Sequence, residues 1–186
     1  MNQKIAVTGA EGAYAEIAAK KIFSRPFIIY TDSFEGVFDA VLKGLCVFGV
    51  LPFENSTAGI VKEVSNLLDK YSVSISKRIK LNVSHCLLVN PGAKMSDILE
   101  IHTHEQAAAQ CIGFIEKYPS IKVVMCENTA FAAKNVSENK SLQKAAIASA
   151  AAADIYGLEI LQRGLETNRN NETEFIVITA KQRRKQ

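Results

Sequence analysis

The sequence predicts an α/β protein built from two blocks of strand–helix units. Three observations predict it. Up to residue 71 the chain alternates short apolar runs with amphipathic stretches, strand then helix, three times over. From Val73 it turns extended over a long run, which Pro91-Gly92 breaks. A second strand–helix series fills residues 98–156, and the chain closes on an apolar strand, FIVIT, at residues 175–179.

Taken in order, Lys4–Thr8 (KIAVT) reads as the first strand and Gly9-Ala10-Glu11-Gly12 as a turn. Residues 13–23 have a helical stripe of Tyr14, Ile17, Ala18 and Ile22. The GxxG of the turn is too short for the G-x-G-x-x-G that opens a dinucleotide site. Residues 27–30 are a second strand. Ser33 caps a helix whose Phe34, Val37, Phe38, Val41 and Leu42 share one face, and Gly44 ends it. Residues 47–53 are apolar on both faces, as in a central parallel strand.

The stretch FGVLPFENSTAG, residues 48–59, organises the rest. An apolar strand runs into Glu54-Asn55-Ser56-Thr57, and a helical pattern burying Ile60, Val64, Leu67, Leu68 and Tyr71 follows. Strand, polar turn and helix make a unit whose free N–H groups suit an anion. Asn55, Ser56 and Thr57 are expected to cap that helix, with a ligand carboxylate as a second partner.

Beyond it, residues 73–83 alternate polar and apolar side chains over a length that suits a crossing between lobes. Residues 98–103 end in a strand, and 105–118 are one helix burying Ala107, Cys111, Phe114, Ile115 and Tyr118. Residues 122–126 are a strand, and 129–136 a helix with Thr129 as its cap. The alanine-rich segment 145–156 is a strand, then a helix stopped by Gly157; it reads as structural, for close helix–sheet packing. Residues 158–165 are extended, and Thr167, Asn168, Asn170, Asn171 and Thr173 mark a polar loop before the final strand.

Composition excludes several classes. With 48% hydrophobic residues the chain has ample material for a core. No apolar run is long enough to cross a membrane, and MNQKIAV leads into a strand with no signal-peptide layout. A cytoplasmic location is expected. Cys46, Cys86, Cys111 and Cys126 form no CxxC pair and no zinc-finger spacing with the three histidines, so free thiols and no metal are expected. The formal charge is +3, yet Lys181, Arg183, Arg184 and Lys185 sit in the tail. Removing those four from 22 basic residues leaves 18 against 19 acidic. The near-neutral body offers no nucleic-acid face.

Six motifs in order make the chain resemble the prephenate dehydratase catalytic domain over nearly its whole length. They are VTGAEGAY, VLPFENSTAG, SHCLL, HTHEQAAAQC, AAIASAAAADIYGLEIL and NRNNETEF. The resemblance implies an α/β fold of two lobes like type II periplasmic binding proteins, with the ligand cleft between them. Residues 1–78 plus 167–186 would form a discontinuous first lobe and 79–166 the second. No phenylalanine-binding ACT domain, which usually follows in this family, is matched in these residues. The implied reaction removes water and carbon dioxide from prephenate to give phenylpyruvate, with no cofactor, because aromatisation drives it. A small-molecule substrate, no nucleic acid, no membrane and a homo-oligomer (dimer or tetramer) are the implied partners.

That chemistry needs a weak acid for the departing C4 hydroxyl and fixed donors for two carboxylates. The resemblance places the acid at Thr173, the Thr of the family's Thr-Arg-Phe. It places substrate contacts at Asn55, Ser56, Thr57, Thr103, His104, Gln106, Gln110 and Phe175. By residue type alone, Thr173 would be a strand-start hydroxyl and Phe175 a core ring. His85 and His102 match no catalytic position and read as satisfied structural histidines. Cys111 reads as a packed thiol on an apolar stripe. A His104–Cys111 nucleophile pair fails because the two lie about two helical turns apart.

Two positions depart from the family pattern: Glu105 replaces its Pro, and Glu174 replaces its Arg. A carboxylate at 174 repels a dianion if it faces the ligand. It faces away if Thr173 and Phe175 point inward, since side chains alternate along a strand. Arg169, Lys62 and Lys80 are the candidate substitute cations. Two other functions remain open beside the dehydratase. One is a prephenate decarboxylase that keeps the hydroxyl, against which Thr173 argues. The other is a binding or sensor protein without the chemistry, which Glu174 favours.

Overall fold

Strand and helix periodicities gather the chain into two units in the computed structural model, which describes residues 3–168 and 170–181. Arg169, a candidate cation, and the basic tail residues Arg183, Arg184 and Lys185 lie outside the described residues. The first unit holds residues 3–9, 14–82 and 172–181; the second holds 10–13 and 83–171. The strands are β1 (Lys4–Thr8), β2 (Phe27–Thr31), β3 (Phe48–Asn55), β4 (Gly59–Ile60), β5 (Val73–Asn82), β6 (Cys86–Val89), β7 (Glu100–Thr103), β8 (Lys122–Met125), β9 (Lys144–Ala148), β10 (Glu159–Arg163) and β11 (Glu172–Ala180). The α-helices are α1 (Tyr14–Ile22), α2 (Phe34–Leu42), α3 (Lys62–Lys70), α4 (Glu105–Gln110), α5 (Ile112–Ile115), α6 (Thr129–Asn139) and α7 (Ala150–Tyr156).

In the first unit the strand order is β2-β1-β3-β11-β5, with β4 hairpinned onto β3. β2, β1 and β3 are parallel, as the strand–helix alternation predicts. The returning β11 runs antiparallel to both β3 and β5, so the sheet is mixed. One face packs Ile5, Val7, Ala18, Val50, Phe175 and Val177; the other packs Phe38, Val41, Leu51, Val64, Ile176 and Ile178. Each such fully buried aliphatic chain is worth about 1.5–3 kcal/mol. α2 lies so close on β3 that a Cβ added at Gly49 would stand 2.4 Å from Val37 Cγ1. Ser33 caps α2, its Oγ accepting from Gly36 N at 3.1 Å.

The expected helix directly after FENSTAG is corrected. Gly59 and Ile60 turn back onto β3, and α3 starts at Lys62 with no side-chain cap. The turn needs a positive φ at Gly59, +78°, which a glycine adopts without strain. Ile60 is consequently exposed, while Val64 and Leu67 are buried as predicted.

In the second unit the order is β10-β6-β9-β7-β8. β6 is antiparallel to β10 and β9, and β7 is parallel to β8 and β9. One face packs Leu87, Ile101, Phe114 and Ile147; the other is small, with Ala132, Ala133, Ala146, Ala148, Ala152 and Ala153. The alanine-rich segment is thus structural: its small side chains set α6 and α7 close to the sheet. Helix boundaries differ from expectation, with α5 ending at Ile115 and α6 running on to Asn139. The helix over 105–118 breaks at Cys111 into α4 and α5, and Asn128, not Thr129, caps α6 by accepting from Phe131 N at 2.8 Å. The GAEG turn belongs here too. Ser149 Oγ and Tyr156 Oη donate to the carbonyls of Gly12 and Glu11, each at 2.8 Å.

Candidate functional site

Each unit brings some of the candidate site residues together. In the first, antiparallel register sets Thr173 on β11 opposite Asn55 on β3. Asn55 Nδ2 donates to Thr173 Oγ1 at 2.9 Å and to the Glu172 carbonyl at 3.2 Å. Its Oδ1 accepts from Thr57 N and Ala58 N, both at 2.9 Å. Asn55 therefore closes a tight turn and grips the neighbouring strand; it does not cap α3. Ser56 completes the grip: its N donates to the Glu172 carbonyl at 2.8 Å, and its Oγ accepts from Glu172 N at 2.9 Å. Asn55 and Thr173 are 2% and 8% exposed, so the hydroxyl sits where a hydrogen bond is little weakened by water. Thr57 is exposed.

Phe175 packs in the core beside Val7 and Val50. Its neighbour Glu174 lies on the opposite face of β11, the face of Ile176, and pairs with Arg78 of β5. The Arg78 guanidinium also lies 5.0 Å from the centre of the Phe53 ring. Of the candidate cations, Lys80 stands across the ladder from Glu174, and Lys62 opens α3.

In the second unit, Thr103 is fully buried and donates its hydroxyl to the Ile147 carbonyl at 3.1 Å, which ties β7 to β9. His104 is the N-cap of α4, its Nδ1 accepting from Gln106 N at 3.3 Å. Gln106 is exposed, one turn before Gln110. Gln110 joins residues that sequence reading did not assign to the site. Its Oε1 lies 2.8 Å from His85 Nε2 and accepts from Asn171 Nδ2 at 3.1 Å. Its Nε2 donates to Asn171 Oδ1 at 3.4 Å, and its carbonyl accepts from Thr167 N at 2.8 Å. His85 N donates to Glu166 Oε2 at 2.9 Å. Burial holds the His85 pKa below the usual imidazole value, against the opposing pull of Gln110 and Glu166. The one signal in the sequence was SHCLL, an apolar strand carrying a histidine at its start.

Glu100, His102 and the cysteines are structural. His102 bonds Glu100 at 3.2 Å, and with Lys122 and Lys144 it holds the Glu100 carboxyl below the usual range. Burial pushes the Cys111 thiol up to about 12 and raises Cys46, Cys86 and Cys126 as well, the wrong direction for a nucleophile. Among the described residues no group of three or more His, Cys, Asp or Glu side chains is placed to hold a metal, and no helix is long and apolar enough to cross a membrane.

A family model described as prephenate dehydratase matches residues 5–183. The chain belongs to the prephenate dehydratase family. It is 34% identical over 182 residues to a bifunctional chorismate mutase/prephenate dehydratase of Escherichia coli (strain K12), covering 96% of this chain and 47% of that protein. The chain thus spans about half the length of that relative. Among solved structures it is similar to a prephenate dehydratase from Arthrobacter aurescens in complex with L-Phe, with TM-score 0.88 at 24% identity over 97% of this chain and 61% of that one. It is also similar to GqqA, described as a quorum-quenching acylase, with TM-score 0.86 at 34% identity over 97% of this chain and 65% of that one. The two-unit α/β fold is therefore that of the family.

Proposed function

We propose that this protein is a prephenate dehydratase, with Thr173 as the acid that releases the C4 hydroxyl. The observation that carries the reading is the Asn55–Thr173 hydrogen bond at 2.9 Å. An amide nitrogen only donates, so Asn55 occupies an acceptor site of the hydroxyl and leaves the threonine proton to donate to a leaving group. In the reaction the C1 carboxylate leaves as carbon dioxide, its bonding electrons enter the ring, and the C4–O bond breaks as the oxygen takes a proton. Prephenate, a dianion, thus consumes one proton and yields water, carbon dioxide and the phenylpyruvate monoanion. The weak acidity of a threonine is offset by position: it need only share its proton as the C–O bond breaks.

The binding residues divide by role. Thr57, His104, Gln106 and Gln110 are assigned to substrate contact. Ser56 joins them, since its Oγ accepts from Glu172 N as Thr173 Oγ1 accepts from Asn55, whereas Thr103 and Phe175, 0% and 2% exposed, hold the backbone beneath. Glu174, paired with Arg78, is assigned no contact.

Prephenate is added to the purified protein and phenylpyruvate is followed by its absorbance in alkali. Phenylpyruvate formation is expected. A decarboxylated product that keeps the hydroxyl would mark the decarboxylase, and calorimetric binding without turnover would mark the sensor. We propose further that the protein is a cytoplasmic homo-oligomer, a dimer or tetramer. Phe27 on β2 and Val47, just ahead of β3, flank Lys4 and are 54% and 52% exposed, with Leu45 at 64%. Light scattering that returns a monomer mass at working concentration would overturn the oligomer.

A further inference from the structure

We infer that His85 is a positioning residue for Gln110, and that the proton on its Nε2 decides which way round the Gln110 carboxamide sits. The inference rests on Gln110 meeting the substrate, as proposed above. Gln110 Oε1 faces His85 Nε2 at 2.8 Å, and Gln110 and Asn171 pair head to tail at 3.1 and 3.4 Å. A carboxamide oxygen accepts and cannot donate, so this arrangement requires His85 to carry its proton on Nε2. In the other tautomer Nε2 would accept, and Gln110 would have to turn its NH2 towards the ring. Asn171, bonded to both ends of that carboxamide, would have to turn over with it. One imidazole proton therefore orients two carboxamides.

The imidazole is well fixed for this task. His85 is 3% exposed. Its backbone N is held by Glu166 Oε2 at 2.9 Å, and its carbonyl accepts from Leu165 N at 3.1 Å. Burial keeps the ring neutral, and only a neutral imidazole has a choice of tautomer. Gln110 cannot set its own orientation, since oxygen and NH2 fill the same space and only the partner distinguishes them.

Two measurements test it. Long-range 1H–15N NMR of the His85 ring reads the tautomer directly. The Nε2–H form is expected, and the Nδ1–H form would overturn the inference whether or not the protein turns over. Kinetics read the consequence. His85→Phe keeps a ring and removes the donor; KM for prephenate should rise about tenfold while kcat changes less than about threefold. His85→Gln restores a donor and should recover part of the loss. The double variant His85→Phe with Gln110→Ala should be no worse than Gln110→Ala alone, because one residue acts through the other. Additive losses, or a fall confined to kcat, would overturn the role. Should His85→Phe not fold, His85→Gln is compared in the same cycle. A wild type without turnover sinks the proposed function instead, and the tautomer still decides the orientation.

Discussion

Thr173 and Gln110 are held by opposite means. Thr173 sits on a strand, and its place follows from the register of β11 against β3, with Asn55 locking the pair. Gln110 sits at the end of a helix of six residues, and its carboxamide is placed by side chains from elsewhere, His85 and Asn171. The first arrangement is as rigid as its backbone ladder. The second depends on three side chains agreeing about donors and acceptors. The hydroxyl proposed to donate as the C–O bond breaks suits the rigid frame, and the carboxamide proposed to bind substrate tolerates the other. The cores differ in parallel. The first unit fills its sheet faces with Ile, Val, Leu and Phe, and one face of the second is mostly alanine.

The largest effect expected is on chemistry in the first unit. Thr173→Ala should lower kcat by roughly 10²–10⁴-fold, with a smaller change in KM and an unchanged circular dichroism spectrum. Near-normal turnover in the folded variant would remove Thr173 from the mechanism.

Next comes the contrast of cores, read by denaturant unfolding. Ile176→Ala should cost about 2–5 kcal/mol through the cavity it leaves. Ala146→Leu should cost about 1–3 kcal/mol by the opposite route, because a leucine has no room beside Ala132 and Ala133. A neutral Ala146→Leu would show that α6 can move off the sheet and that the alanines are not needed for close packing.

A smaller effect separates the polar clusters by pH. His85 has its folded pKa depressed below 6.5 by burial. Below the unfolded value the unfolded chain takes a proton that the folded chain refuses. Stability attached to neutral His85 is therefore full above about pH 6.5 and declines as pH falls towards the folded value. The Glu166 carboxylate facing the residue moderates the decline. Wild type should lose more stability between pH 7.5 and 5.5 than His85→Phe does. Equal losses would mean that His85 is not held neutral.

The smallest effect is expected at Glu174. Its partner Arg78 is half exposed, so the pair contributes about 0–1 kcal/mol. Glu174→Arg should leave KM for prephenate within about twofold, since the side chain lies on the face away from Thr173. A tenfold fall in KM would bring Glu174 back to the ligand.

Much of this was legible in the sequence because it is local. Alternation and helical period are properties of neighbouring residues, so the strand–helix order, the Ser33 cap and the buried stripes of β3 and α2 could be read directly. The alanines of residues 145–156 announced close packing by their size alone. Motif order carried the family, since several short runs in sequence are improbable by chance. What local pattern could not reach was decided by partners far along the chain. FENSTAG became a hairpin turn, not a capped helix: Asn55 Oδ1 closes it on Thr57 N and Ala58 N, while Asn55 Nδ2 reaches Thr173, 118 positions away. Glu174 pairs with Arg78, 96 positions away, and His85 meets Gln110, 25 positions away. A polar side chain at one position is compatible with a cap, a turn or a contact. Only the group that folding brings opposite it chooses among them, and that choice belongs to the tertiary structure.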